Sequence, residues 1–429
     1  MNAILPCLCL LFLLVSTPVA GQGEGAGYVI HAGKLFDPEQ GAFLTDQYIF
    51  TTGETIERIA PAGAADTTGY RYLDLADATV LPGLIDAHTH LLTRQRSDES
   101  LEFDAINRSD RERLLRAVEL AGSYLRSGVT TVRDLGNSGQ FLDLDLRDAI
   151  GQGWVAGPTL YASGPIISPE NGQFGTLPDT LAYVIDQEYR VIATEDDARM
   201  AVLDHARRGV DLIKVAASND NGTALADSLL LALVETARAS GLRVTAHAPY
   251  DAVIRSAIAA GVDGIEHGYT VSDSTLQLMA DRGIYLVPTD GTSESYTSIV
   301  EAGNGTITAE QIAAFVQATQ DRLARAVRIG VPIVFGSDSY LVAAEPVGVA
   351  AKQTLVAYHR SGMSVAEVLR AATASAARAL GREGTLGVLQ PGAVADIVAF
   401  SADLPEAFET AILADALFVM QGGKVVVGR

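Results

Sequence analysis

Two histidines one residue apart, His88 and His90, close the apolar run Leu84-Ile85-Asp86-Ala87-His88-Thr89-His90. Alternate side chains of an extended strand project to one side, so both imidazoles can reach a single cation. Alone, such a pair is a weak signal. It is joined by His247 in Thr245-Ala246-His247, His267 in Ile265-Glu266-His267 and Asp338 in Gly336-Ser337-Asp338, each ending a short apolar run. Lys214 stands inside another such run, Leu212-Ile213-Lys214-Val215. A buried lysine is costly while charged and is readily deprotonated when desolvated. The neutral amine can add carbon dioxide, and the carbamate so formed carries two oxygens able to bridge two cations. Against this stands a Lys214 that reaches solvent or pairs with Asp338.

These groups need elements to position them. Short apolar runs predict eight strands at 82–88, 129–134, 158–163, 211–216, 242–247, 263–267, 284–288 and 332–336. Helical runs lie between most of them, at 111–127, 197–208, 228–240, 251–260 and 309–329. Gly128, Gly209, Gly241, Gly261 and Gly330 each follow a helix and precede a strand, where a residue free to adopt positive φ ends a helix at least cost. Repeated β-α alternation with eight strands predicts a (β/α)8 TIM barrel in the α/β class. An open doubly wound sheet is the competing topology, but no Gly-rich nucleotide loop follows the first strand. Both chain ends, 22–80 and 381–429, read as short strands punctuated by Gly and Asp. They predict one small β-sandwich domain assembled from both termini, around a barrel spanning 81–380.

Four of the seven histidines thus fall at strand ends, where barrel enzymes keep their reactive groups. Their convergence with Asp338 favours metal binding over a structural role. His31, His205 and His359 lie elsewhere and read as locally satisfied side chains. Arg133 and Asp134, closing the second strand, read as a buried ion pair beneath the site.

Composition narrows the function. The 429 residues are 48% hydrophobic and 19% charged with a net charge of −21, which fits a globular protein and disfavours nucleic acid or anionic membrane as partner. Residues 1–21 read as a secretory signal peptide: an apolar stretch ending in small residues, though no Lys or Arg precedes it. Export to a periplasm or the medium follows from that reading; a disordered or membrane-tethered end is its alternative. Both cysteines, Cys7 and Cys9, lie in this stretch, which removes disulfides and thiolate ligands from the mature chain. No other stretch reaches the roughly 18 apolar residues that suggest a membrane span.

The sequence resembles the amidohydrolase superfamily over nearly all of the chain beyond the leader. The resemblance rests on Leu81-Pro82-Gly83-Leu84-Ile85-Asp86-Ala87-His88-Thr89-His90, Gly128-Val129-Thr130-Thr131-Val132-Arg133-Asp134-Leu135-Gly136, Gly264-Ile265-Glu266-His267-Gly268, Phe335-Gly336-Ser337-Asp338 and Gly392-Ala393-Val394-Ala395-Asp396-Ile397-Val398. Within the superfamily it is similar to the branch holding imidazolonepropionase-like proteins, bacterial Xaa-Pro dipeptidase (prolidase) and related carboxypeptidases. The resemblance implies two divalent ions, zinc given the imidazole and oxygen donors. His88 and His90 would hold the more buried ion with Asp338, and His247 and His267 the second. Carbamylated Lys214 and a hydroxide would bridge them, with Asp338 moving the proton from nucleophile to leaving amine.

Some positions depart from that branch. Phe174 stands where its Gly-Gly-His-Gly loop carries histidine, in Ser168-Pro169-Glu170-Asn171-Gly172-Gln173-Phe174-Gly175, and Tyr250 comes one place late after His247. Asn171, Phe174, Tyr250 and Thr289 are the candidates for substrate contact. The reading is a metal-dependent amidohydrolase that cleaves an amide or peptide bond of a dipeptide-like or N-acyl amino acid substrate. Its alternative is a one-ion cyclic-amide hydrolase or deaminase of the imidazolonepropionase type, with Lys214 unmodified and His267 as proton carrier. An inactive scaffold on this fold predicts loss of at least one ligand, and none is lost. The residues leave monomer and homo-oligomer open.

Overall fold

The computed structural model describes residues 27–174, 177–219 and 222–428. The expected leader lies outside them.

The two chain ends build one continuous seven-stranded sheet, in the order Lys424–Val427, Phe418–Gln421, Ile397–Ser401, Arg71–Pro82, Tyr28–Asp37, Ala42–Thr52, Thr55–Pro61. Every neighbouring pair is antiparallel except Tyr28–Asp37 with Arg71–Pro82. The two ends were expected to form a sandwich; among the described residues they form this single sheet. Its outer strand is not left bare: Ile56 N donates to Ala393 O and Ala395 N to Glu54 O, both at 2.8 Å. Ile30, Ile49, Val80, Ile397 and Met420 form its buried core. The long strand Arg71–Pro82 leads through Gly83 straight into Leu84–Thr89, where the chemistry begins. A side chain at position 83 would sit 2.0 Å from Thr130 Oγ1, so only glycine lets the two runs join this closely.

Between the ends, strands and helices alternate and every strand pair is parallel. Leu84–Thr89 pairs with Val129–Asp134, and that with Thr159–Ala162. A six-stranded sheet runs Tyr285–Val287, Gly264–His267, Arg243–Ala248, Leu212–Ala216, Ile166–Ser168, Tyr189–Val191. These strands are buried along nearly their whole length, as parallel strands covered by helices must be. Helices form at Asp110–Arg126, Glu195–Arg208, Asp227–Ala239, Asp251–Ala260 and Ala309–Ile329, within two residues of expectation at every end. All five punctuating glycines have positive φ, from +73° at Gly241 to +94° at Gly128.

Two strands depart from expectation. The third, expected at 158–163, forms at Thr159–Ala162 and ends where Gly164 turns at φ +67° and Pro165 has no N–H to donate, and a further short strand, Ile166–Ser168, follows it unexpected. The eighth, 332–336, forms no ladder among the described residues. It is held by backbone bonds on both sides: Leu286 N to Pro332 O (2.9 Å) and Val334 N to Leu286 O (3.0 Å) on one, Ala87 N to Phe335 O (2.9 Å) on the other. No helix of the described residues is long and apolar enough to cross a membrane.

Candidate metal centre

The first strand delivers His88 and His90 to the end of the parallel strands, and each ring is oriented by its Nδ1. His88 Nδ1 lies 2.7 Å from Glu266 Oε2, with both residues fully buried. His90 Nδ1 lies 2.8 Å from the carbonyl of Gly136. Both partners are acceptors, so each Nδ1 carries the proton and each Nε2 keeps its lone pair. The two Nε2 atoms stand 3.3 Å apart, and Asp338 Oδ1 stands 3.3 Å from His90 Nε2 and 3.6 Å from His88 Nε2. These three residues bring their ligand atoms within 4.8 Å of one another.

The other candidates border the same space. Lys214 is 2% exposed, with Nζ 3.5 Å from His88 Nε2. Burial lowers its amine to about 8, opposed by the charges of Glu266 and Asp338. His267 Nδ1 lies 2.9 Å from Thr289 Oγ1, and that hydroxyl donates its proton to Pro288 O at 2.7 Å. The Thr289 oxygen therefore accepts from Nδ1–H, and the Nε2 of His267 also keeps its lone pair. His247 Nδ1 lies 3.2 Å from the Gln173 amide. Burial holds His88, His247 and His267 well below the usual imidazole range, helped by neighbouring positive groups, so they stand neutral as ligands require.

All six line one cavity of about 200 Å³, together with Gln173, Asn137, Thr93, Leu101, Tyr269 and Tyr340. Two buried polar atoms there, His247 Nε2 and Asp338 Oδ1, have no hydrogen-bond partner among the described residues. Buried polar atoms are rarely left so, and lone pairs converging with a carboxylate are a donor set for a divalent cation. Backbone strain collects at the same place: His267 (φ +69°), Thr289 (+57°) and Asp338 (+53°) are all in the left-handed region. For a β-branched residue such as Thr289 that is a real cost, borne where the side chain must meet His267.

Beneath the ligands lies a buried charge pair. Arg133 Nη2 donates to Glu266 Oε1 at 2.7 Å and Nη1 to Tyr285 OH at 2.9 Å, while Thr245 Oγ1 also donates to Glu266. An ion pair was expected from Arg133 and Asp134; Arg133 takes Glu266 instead, and Asp134 accepts from Ser138 Oγ and Leu91 N. Glu266 had no role assigned from the sequence, although an acid beside a candidate ligand on a buried strand was the available signal.

The substrate candidates are placed unevenly. Thr289 is at the site. Tyr250 is 45% exposed at the start of Asp251–Ala260 and does not line the cavity. Phe174 is buried against Tyr189, ring centroids 5.0 Å apart, in a cluster with Ile166, Val184 and Ala216. Asn171 takes a left-handed turn at φ +69° and does not line the cavity either. The apolar ring of Phe174 goes into the core, and its polar neighbour Gln173 faces the ligands instead. Tyr269 and Tyr340, stacked or edge-on against His267 and His90, were likewise not singled out. His31, His205 and His359 find partners elsewhere, in Asp46, in Ala201 O and Pro165 O, and in Met363 O.

Comparison with known proteins agrees with this architecture. Ochratoxinase of Aspergillus niger is 28% identical over 419 residues, covering 89% of this chain and 82% of that protein. Imidazolonepropionase of Geobacillus kaustophilus is 27% identical over 418 residues, covering 86% of this chain and 84% of that one. The crystal structure of a Xaa-Pro dipeptidase with bound methionine in the active site superposes with a TM-score of 0.79 at 27% identity, covering 94% of this chain and 100% of that one. Residues 79–428 match the amidohydrolase family. The chain belongs to the amidohydrolase family of hydrolases.

Proposed function

We propose that the chain is a two-ion amidohydrolase that cleaves the amide bond of a dipeptide or N-acyl amino acid. The observation that carries the reading is the gathering of His88, His90, Lys214, His247, His267 and Asp338 around one cavity, with the orphaned His247 Nε2 and Asp338 Oδ1 inside it. His88, His90 and Asp338 would hold one ion, and His247 and His267 the other. Lys214, buried with a lowered basicity, is suited to carbamylation and to joining the two. Imidazole with oxygen donors favours zinc. Two such ions lower the pKa of water toward neutrality and polarise a carbonyl. Asp338 takes a proton from the attacking water as its oxygen bonds to the carbonyl carbon, then delivers it to the departing nitrogen as the C–N bond breaks. Glu266 and Gly136 O keep His88 and His90 in the tautomer that binds metal.

The same reading takes the parallel strands as a closed barrel over 81–380, with 22–80 and 381–429 as a second domain. Its support is the 332–336 segment, hydrogen-bonded to the seventh strand on one side and the first on the other. Export follows if residues 1–21 are a leader.

One observation favours the one-ion alternative: among the described residues, only His88, His90 and Asp338 bring ligand atoms into one tight group. In that version Lys214 remains an amine, His267 carries the proton, and the substrate is a cyclic amide or an amine to be deaminated.

A panel of dipeptides and N-acyl amino acids, assayed with zinc-loaded protein by release of free amine, tests the reading. Expected is amine release that a chelator abolishes and added zinc restores. A panel with no hydrolysed member contradicts it.

A further inference from the structure

A second chamber adjoins the metal cavity and shares Tyr269, Tyr340 and Asp338 with it as a common wall. Its volume is about 170 Å³, and an apolar cavity of about 150 Å³ suffices to bind benzene. Four rings line it, Tyr269, Tyr296, Phe315 and Tyr340, and three of them pack together. Phe315 lies with its ring centroid 5.7 Å from that of Tyr269 and 5.5 Å from that of Tyr296, at steep interplanar angles to both. Ile299 and Leu341 add aliphatic surface. Phe315 is 40% exposed although apolar, as a ring is when it walls an open pocket instead of filling a core.

Charge narrows what fits. The described residues lining this chamber include no Lys, Arg or His, and they include two acids, Asp338 and Glu345. Glu345 is held in place by Ser298 Oγ, which donates to its Oε2 at 2.8 Å. In the metal cavity the only lysine or arginine among the described lining residues is Lys214, which the ligand set already uses. A substrate carboxylate entering the second chamber would meet acids and rings in a chain of net charge −21, with no guanidinium to pair with. An uncharged ring would meet the edges and faces of the rings that line it.

We infer that the second chamber is a specificity pocket for an uncharged aromatic group next to the scissile amide, and that it rejects acidic side chains. This rests on the amide-hydrolase reading above and names its substrate class.

The test uses zinc-loaded protein and two dipeptide series, one varied on each side of the scissile bond among Phe, Leu, Glu and Lys. In one series kcat/KM is expected to favour Phe over Glu by about 100-fold and over Leu by about tenfold, the range that pocket contacts supply. Phe315→Ala should cut the Phe/Leu ratio about tenfold. Ile299→Trp, which fills the chamber, should do the same by exclusion and keeps the test open if one variant misfolds. Equal rates for Phe and Glu in both series, a preference for Lys, or ratios unchanged in both variants overturn the inference while leaving the hydrolase reading intact. No hydrolysis of any member overturns that reading itself, and the pocket assignment with it.

Discussion

Replacing Asp338 with Asn is expected to lower kcat/KM by about 10³- to 10⁴-fold while leaving the protein folded, because the amide keeps the shape but cannot take the proton. The backbone argument for a folded variant is specific. Position 338 sits at φ +53°, a conformation that asparagine tolerates as well as aspartate, and its N–H still donates to His88 O at 2.8 Å. Metal binding should weaken as well, since Asp338 Oδ1 is the carboxylate facing His88 and His90. Steady-state kinetics beside a thermal melt checks both halves. Activity within tenfold of the parent would remove Asp338 from the chemistry.

Glu266→Gln should act on stability first. Glu266 is fully buried and takes His88 Nδ1, Arg133 Nη2 and Thr245 Oγ1 at once. Neutralising it leaves the Arg133 charge buried with Tyr285 OH and the Ala87 carbonyl as its remaining partners, and turns an amide N–H toward groups that already donate. Removing one partner of a buried pair costs about 3–5 kcal/mol. For a chain of this length the melting midpoint should fall by roughly 4–6 °C. Because Glu266 also orients His88, metal affinity should drop by about 10- to 100-fold. A midpoint unchanged within a degree would mean that Arg133 is stabilised some other way.

How much of this was legible beforehand follows from which signals a chain carries locally. Strand alternation and the glycines after helices are local, so Val129–Asp134, Asp251–Ala260 and Ala309–Ile329 emerge with the bounds expected. The six ligand candidates were legible because each ends or interrupts an apolar run, and a polar residue there has few structural uses. Loop side chains carry no such period. Phe174 and Gln173 are neighbours, and only the space beside Tyr189 decides that the ring goes inward while the amide faces His247. Tyr250 is placed by the same kind of context: it precedes a helix, and its ring is carried out to solvent. The sparse attachment of 332–336 depends on Gly336 packing against the first and seventh strands, where a side chain would lie 2.4 Å from Val287 and 2.7 Å from His88. The Glu266–Arg133 pair joins residues 133 positions apart and has no local trace.

The central claim is a two-ion site joined through Lys214, and metal content per chain tests it most directly. The parent protein, purified with zinc and freed of loose metal, should hold two ions per chain, and Lys214→Ala should hold one or fewer at the same protein concentration. One ion in the parent and no change on replacing Lys214 would contradict the bridged site and favour the single-ion chemistry of His88, His90 and Asp338.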